Sequence, residues 1–149
     1  MNAKILIVFL ITLIVVACSK TGFSNNPQLS LQNVSSTSLH QGDVLTFNIQ
    51  FTDKNGTALD TMWIQRVSKI CPADVSSLIY YPIPAFTATS YLKGTFSVSY
   101  IYNVVNGPYP FIGTCSTPKN DTSYFKIWIN DAAGHKSDTI TSPNIAFLK

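Results

Sequence analysis

Apolar and polar residues alternate along much of the chain after residue 28. Leu45, Phe47, Ile49 and Phe51 are apolar, whereas the residues between them are polar. A period of two is typical of strands that bury one face. We predict six or seven strands, at residues 29–34, 45–51, 61–67, 95–102, 125–129 and 139–147.

Two of these strands run into the same turn motif. The segments Phe47–Thr61 and Phe125–Thr139 match at a constant offset, and each contains Asp-x-x-Gly, at Asp53–Gly56 and Asp131–Gly134. Asp at the first turn position caps backbone amides, and Gly at the fourth accepts a positive φ. We interpret both segments as hairpins that form related corners of one sandwich.

The composition favours strands over helices. All seven acidic residues are Asp, and Thr, Ser, Asn and aromatic residues are abundant among the 149 residues; these residue types suit strands and turns. Residues 29–149 are therefore predicted to form a single antiparallel β-sandwich of about seven strands. The strand, Asp-x-x-Gly, strand units, above all Phe125–Asp138, resemble immunoglobulin-like modules of cadherin or PKD style, which implies an all-β immunoglobulin-like fold.

The N-terminus has the form of a secretory signal. Lys4 precedes the apolar run Ile5–Ala17, which only Thr12 interrupts. A charged start followed by a short apolar region is typical of exported proteins. The run is short for a membrane span, which needs about 20 apolar residues. Export with cleavage is expected, and an uncleaved anchor helix is the alternative.

The end of this run resembles the lipobox of bacterial lipoproteins, with the sequence Val15-Val16-Ala17-Cys18. The resemblance implies that residues 1–17 are a cleaved signal peptide and that Cys18 carries the lipid, including palmitate-like acyl chains. Residues 18–28 would then be the lipidated cysteine and a flexible tether. Ser19, in place of Asp, implies sorting to the outer membrane of a Gram-negative cell. The membrane is thus a predicted partner, through a lipid anchor.

Two cysteines remain once Cys18 is assigned to lipid. Cys71 and Cys115 are expected to form a disulfide, because disulfides persist in exported proteins. Closing the loop between them corresponds to about 4 kcal/mol of stabilisation in the chain-entropy model. The alternative is a reactive thiol with His40 or His135 as its base, for which no local signature exists.

No catalytic motif is present, so we predict that the chain is not an enzyme and uses no cofactor. An Asp-dependent hydrolase is the remaining catalytic alternative; it would need two carboxyl groups within about 5–9.5 Å.

No metal site is assigned. Calcium binding near Asp53 or Asp131 is left open as an alternative, because Asp and Asn supply the oxygen ligands that calcium prefers. The further oxygen donors are Asn55, Asp60 and Asp138. Turn capping is the preferred role of these residues. The net charge of +3 is dispersed, so no nucleic-acid partner is expected.

Two long segments, residues 68–94 and 103–121, are rich in proline and tyrosine. Tyr80, Tyr81 and Tyr109 are predicted to form a platform for a sugar or peptide, since aromatic side chains supply contact area at low entropic cost. Trp63 and Trp128 are further aromatic candidates, and Trp128 should face away from its neighbours Ile127 and Ile129.

The expected function is non-catalytic: a monomeric module that binds or spaces a glycan or an envelope protein. A structural subunit without a ligand is the alternative.

Overall fold

The computed structural model describes residues 24–56, 58–75, 78–87, 89–116 and 119–149. The predicted signal peptide, the lipobox and Cys18 lie outside these residues. No helix within them has both the length and the hydropathy that crossing a membrane requires.

Strands dominate the described residues. Seven strands have three or more residues, and three more have only two residues. The strand at residues 78–82 lies outside the predicted ranges, and the strand predicted at residues 139–147 is divided into two short ones. In chain order the elements are β1 (Gln28–Val34), β2 (Ser38–Leu39), β3 (Val44–Asp53), β4 (Leu59–Ser68), the short helix α1 (Pro72–Val75), β5 (Leu78–Pro82), β6 (Leu92–Tyr102), β7 (Phe111–Ile112), β8 (Asp121–Asp131), β9 (Ile140–Thr141) and β10 (Ile145–Phe147).

The strands form two sheets that pack face to face. The four-stranded sheet has the order β1-β3-β6-β7, and the six-stranded sheet has the order β2-β10-β8-β4-β5, with β9 also paired to β8. Pairing is antiparallel except between β2 and β10 and between β6 and β7, where short edge strands run parallel to their neighbours. The fold is an all-β immunoglobulin-like sandwich, as the sequence predicts.

The core lies where the alternating apolar positions of the two sheets meet. On β3, Leu45, Phe47 and Ile49 are fully buried, and on β8, Ile127 and Ile129 are fully buried. Rings from the two sheets also touch across the core: the centroids of Phe47 and Phe125 are 4.9 Å apart. The period of two therefore identifies the inner faces correctly.

Both Asp-x-x-Gly turns use the predicted chemistry. The carboxylate of Asp53 accepts a hydrogen bond from the backbone N–H of Asn55 at 3.0 Å, and that of Asp131 accepts one from the N–H of His135 at 2.7 Å. Gly56 and Gly134 have φ angles of 63° and 86°, a region that favours glycine.

Only the second turn belongs to a hairpin, however. β8 and β9 pair antiparallel after Asp131–Gly134, whereas the turn at Asp53–Gly56 connects β3 in one sheet to β4 in the other. The prediction of a first hairpin is wrong because β3 already lies between β1 and β6, so the chain must cross to the six-stranded sheet.

Candidate functional site

Three aromatic side chains lie side by side on the outer face of the six-stranded sheet. Trp63 on β4 is the cross-strand partner of both Trp128 on β8 and Tyr80 on β5. The centroids of the two indole rings are 6.3 Å apart with nearly parallel planes, and the Trp63 and Tyr80 centroids are 5.5 Å apart. We call Tyr80, Trp63 and Trp128 the aromatic row. Such cross-strand aromatic pairs also stabilise the sheet.

Strand alternation explains why these rings face outward. Trp63 lies between Met62 and Ile64, whose side chains are buried in the core. Trp128 lies in the same way between two buried isoleucines, so its predicted outward orientation is confirmed. Both tryptophans are half-buried, because each packs against a neighbouring ring on its own face of the sheet.

Tyr80 is the open end of the row. Its side chain is 64% exposed, and β5 is the last strand of its sheet, so no other strand of the described residues covers the side of the ring that points away from Trp63. At the opposite end, the ammonium group of Lys136 lies 4.5 Å from the centroid of the Trp128 ring, which is within the range of a cation–π contact.

The predicted platform of Tyr80, Tyr81 and Tyr109 is not formed. Tyr81 follows Tyr80 on β5 and therefore points inward, where its ring packs edge-on against buried Tyr100 with centroids 6.3 Å apart. Tyr109 is 43% exposed, but it lies in the segment that connects β6 to β7 in the four-stranded sheet. Adjacent strand residues face opposite sides, which separates the two consecutive tyrosines.

A cleft of about 290 Å³ opens between β5 and β6. Both of the segments rich in proline and tyrosine, residues 68–94 and 103–121, contribute to it, through Pro84 and Pro110. Its walls are mainly apolar, and the polar groups that line it include the hydroxyls of Ser97 and Ser99. The lining residues are Met62, Tyr81, Pro82, Ile83, Pro84, Phe96, Ser97, Val98, Ser99 and Pro110.

The predicted disulfide is present. Cys71 and Cys115 are bonded, with their Cα atoms 6.0 Å apart, and both are buried. The bond therefore ties together the two long segments, and the alternative of a reactive thiol does not apply. Ser68 lies next to the bond: its hydroxyl accepts a hydrogen bond from the N–H of Cys71 at 2.9 Å and donates one to the carboxylate of Asp121 at 2.6 Å.

The same carboxylate belongs to a buried ion pair that the sequence did not reveal. Arg66 Nη2 lies 3.0 Å from Asp121 Oδ2, and both side chains are almost fully buried. The guanidinium also donates to the hydroxyl of Ser123 at 2.9 Å and to the carbonyl of Gly113 at 2.7 Å, and it lies 4.0 Å from the centroid of the Phe147 ring. Each of the three guanidinium nitrogens thus has a hydrogen-bond partner within the protein.

The surroundings of Asp121 favour its ionised form. Burial alone would raise the pKa of this carboxyl, but hydrogen bonds from Ser123 and Ser68 and the charge of Arg66 outweigh burial and hold the pKa below its ordinary value of 3.8. The pair thus stays charged at neutral pH, and its closed set of partners indicates a structural role.

Among the described residues, one group of three His, Cys, Asp or Glu side chains is close enough to hold a metal ion: Cys71, Cys115 and Asp121, with ligand atoms within 4.8 Å of one another. Its two sulfurs are bonded to each other, and its carboxylate oxygens already accept hydrogen bonds from Arg66 and Ser68. This group is therefore not arranged for a metal. Neither Asp53 nor Asp131 belongs to such a group in the described part of the chain.

No family model matches the chain, and no curated protein matches it. Among solved structures, it is similar to the sporulation control protein Spo0M from Bacillus subtilis, with 11% identity and a TM-score of 0.46, over 85% of this chain and 51% of the Spo0M chain. It therefore spans about half the length of Spo0M. It is also similar to a Niemann-Pick type C2 protein from the Japanese carpenter ant, with 7% identity and a TM-score of 0.42, over 88% of this chain and 96% of that chain.

Proposed function

We propose that the protein is a non-catalytic glycan-binding module of the bacterial envelope, attached to the outer membrane through lipid on Cys18. The observation that carries the proposal is the aromatic row, which ends in a tyrosine with 64% exposure. Sugar rings have apolar faces that pack on exposed aromatic rings, and such rings lose little entropy on binding.

The sheet beneath the row supplies the rigidity that binding requires. β4 and β8 pair over most of their length, and the inward side chains next to the two tryptophans, Met62, Ile64, Ile127 and Ile129, belong to the buried core. Trp63 packs against both of the other rings, so the orientation of Tyr80 is restricted before a ligand arrives. A preorganised surface retains more of its contact energy as affinity.

The proposal of a lipid anchor rests on the lipobox resemblance at residues 15–18. Several acyl chains at about 0.8 kcal/mol per buried CH₂ group hold a protein at a membrane far more firmly than one chain does. Such an anchor would keep the module within reach of envelope polysaccharide.

The binding proposal can be tested by tryptophan fluorescence, because both tryptophans of the chain are in the row. We expect titration of the purified full-length protein with a panel of neutral and acidic polysaccharides to change the emission with at least one of them. Tyr80→Ala should weaken that binding at least tenfold, as loss of an aromatic anchor costs about 2 kcal/mol or more.

Tyr91→Ala is the matched control, since Tyr91 is 57% exposed and directly precedes β6 in the other sheet. Equal weakening by both substitutions would contradict a site on the aromatic row. A panel without any response, together with recovery of one envelope protein in pull-downs, would favour the role of a structural subunit.

A further inference from the structure

We infer that the glycan held by the aromatic row is acidic, with carboxylate, sulfate or phosphate groups along its chain. This inference rests on the proposed function and adds the chemical class of the ligand. It comes from the charges that surround the row on the outer face of the six-stranded sheet.

Two lysines adjoin the row at the end opposite Tyr80. Lys136 forms an isolated bridge with Asn130 of β8, and its Nζ lies 4.5 Å from the centroid of the Trp128 ring. Lys126 lies two residues before Trp128 on β8, so both side chains emerge on the same face. Its cross-strand partners, Gln65 on β4 and Thr141 on β9, are uncharged.

Two exposed carboxylates are near this surface: Asp60, where β4 begins, and Asp138, two residues after Lys136. The outward positions of β4 and β5 that surround the row are neutral: Thr61, Gln65, Val67, Leu78 and Pro82. The nearest acidic residue along β4 is Asp60, at the bulge where the strand begins, and its carboxylate accepts a hydrogen bond from the hydroxyl of Thr61 at 2.6 Å. Among the described residues, the salt bridges involve His40, Arg66 and His135 as cations, so neither lysine belongs to one.

Together these observations describe an aromatic row with two lysines and one exposed carboxylate, Asp138, near one end, and hence with a net positive charge there. A neutral polysaccharide would use only the rings. An acidic polysaccharide that lies along the aromatic row would stack a sugar on Tyr80 and place an anionic group beside Lys136 and Lys126. Exposed ion pairs of this kind contribute about two- to fivefold each to affinity, and salt weakens them.

The test compares acidic polysaccharides with their own neutral derivatives. The purified full-length protein is titrated with polygalacturonate, alginate and hyaluronan, and with the carboxyl-reduced form of each. We expect at least one acidic polymer to bind about tenfold more tightly than its reduced form, and the difference to shrink as salt is raised from 50 to 500 mM, because mobile ions screen exposed charges.

Variants then assign the preference to the two lysines. Lys126→Gln combined with Lys136→Gln should bring the affinity for the acidic polymer close to that for its reduced form. Lys136→Arg, which keeps the charge, should preserve the preference for the acidic polymer. Lys93→Gln is the control, because Lys93 is exposed on β6 in the other sheet.

The outcomes separate the two proposals. Equal binding of acidic and reduced polymers, with both lost in Tyr80→Ala, would overturn the charge inference and leave glycan binding in place. An acidic preference that survives the double lysine variant would also overturn it. Absence of binding to every polymer would overturn both proposals. Lysine-dependent binding to vesicles of phosphatidylglycerol, without polysaccharide binding, would assign this surface to a membrane instead.

Discussion

Replacement of Arg66 by Met tests whether the buried ion pair is a structural element. Met matches the length of the arginine stem but leaves the carboxylate of Asp121, which is 2% exposed, without its cation. The guanidinium's bonds to Ser123 and Gly113 and its contact with Phe147 disappear as well. Removing one member of a buried pair costs about 3–5 kcal/mol, because the other charge stays buried.

The matched double variant distinguishes the pair from the surrounding packing. Arg66→Met combined with Asp121→Leu removes both charges, and apolar replacements of a buried pair are often neutral or stabilising. We therefore expect the double variant to be more stable than Arg66→Met alone. Asp138→Asn, at an exposed position, should change the free energy of unfolding by less than about 0.5 kcal/mol.

Urea denaturation at pH 7, followed by circular dichroism, gives the free energies of unfolding. The measurement should be repeated at lower pH, because the pKa of Asp121 in the folded protein is below 3.8. A carboxyl with a lowered folded pKa stabilises the protein above its unfolded pKa, and this stabilisation is lost as the pH falls through the folded value. The difference between the wild type and Arg66→Met should accordingly shrink below about pH 4.

A loss below about 1 kcal/mol for Arg66→Met at pH 7 would refute this reasoning, since it would mean that the carboxylate gains water or a proton at little cost. A double variant as unstable as the single one would show instead that packing around the arginine, and not the charge pair, is what the fold requires.

Two further predictions concern the cysteines. Reduction of the disulfide, or Cys71→Ala with Cys115→Ala, should lower the free energy of unfolding by up to about 4 kcal/mol; a melting temperature that does not respond to reductant would contradict this. Cys18→Ala should release the protein from the membrane fraction of cells or stall its processing, whereas full membrane retention of a processed chain would count against the lipid anchor.

Much of the fold follows from short-range patterns in the sequence. Alternation locates the long strands and their buried faces, as for Phe47 on β3 and Ile127 on β8. The Asp-x-x-Gly motifs identify turns that have the expected caps and positive φ angles. Local turn chemistry does not determine which strand pairs next, however, so the Asp53 motif predicts a hairpin although the chain crosses between the sheets there.

The candidate site was harder to predict because it depends on strand register. Trp63, Tyr80 and Trp128 are neighbours only because β4 lies between β5 and β8 with these three residues aligned. The sequence marks Trp128 as outward-facing, but it does not align Trp63 with it. Arg66 and Asp121 are 55 residues apart, and no local signal links them.

The aromatic row is tested most directly by NMR, because the two tryptophans of the chain each contribute one indole N–H signal. The full-length protein, labelled with ¹⁵N, would be titrated with the polysaccharide that binds it. We expect both indole signals to shift, together with backbone signals of β5 around Tyr80, while signals of β1 stay in place. Shifts confined to residues of the cleft, such as Ile83 and Phe96, with both indole signals unchanged, would contradict the account.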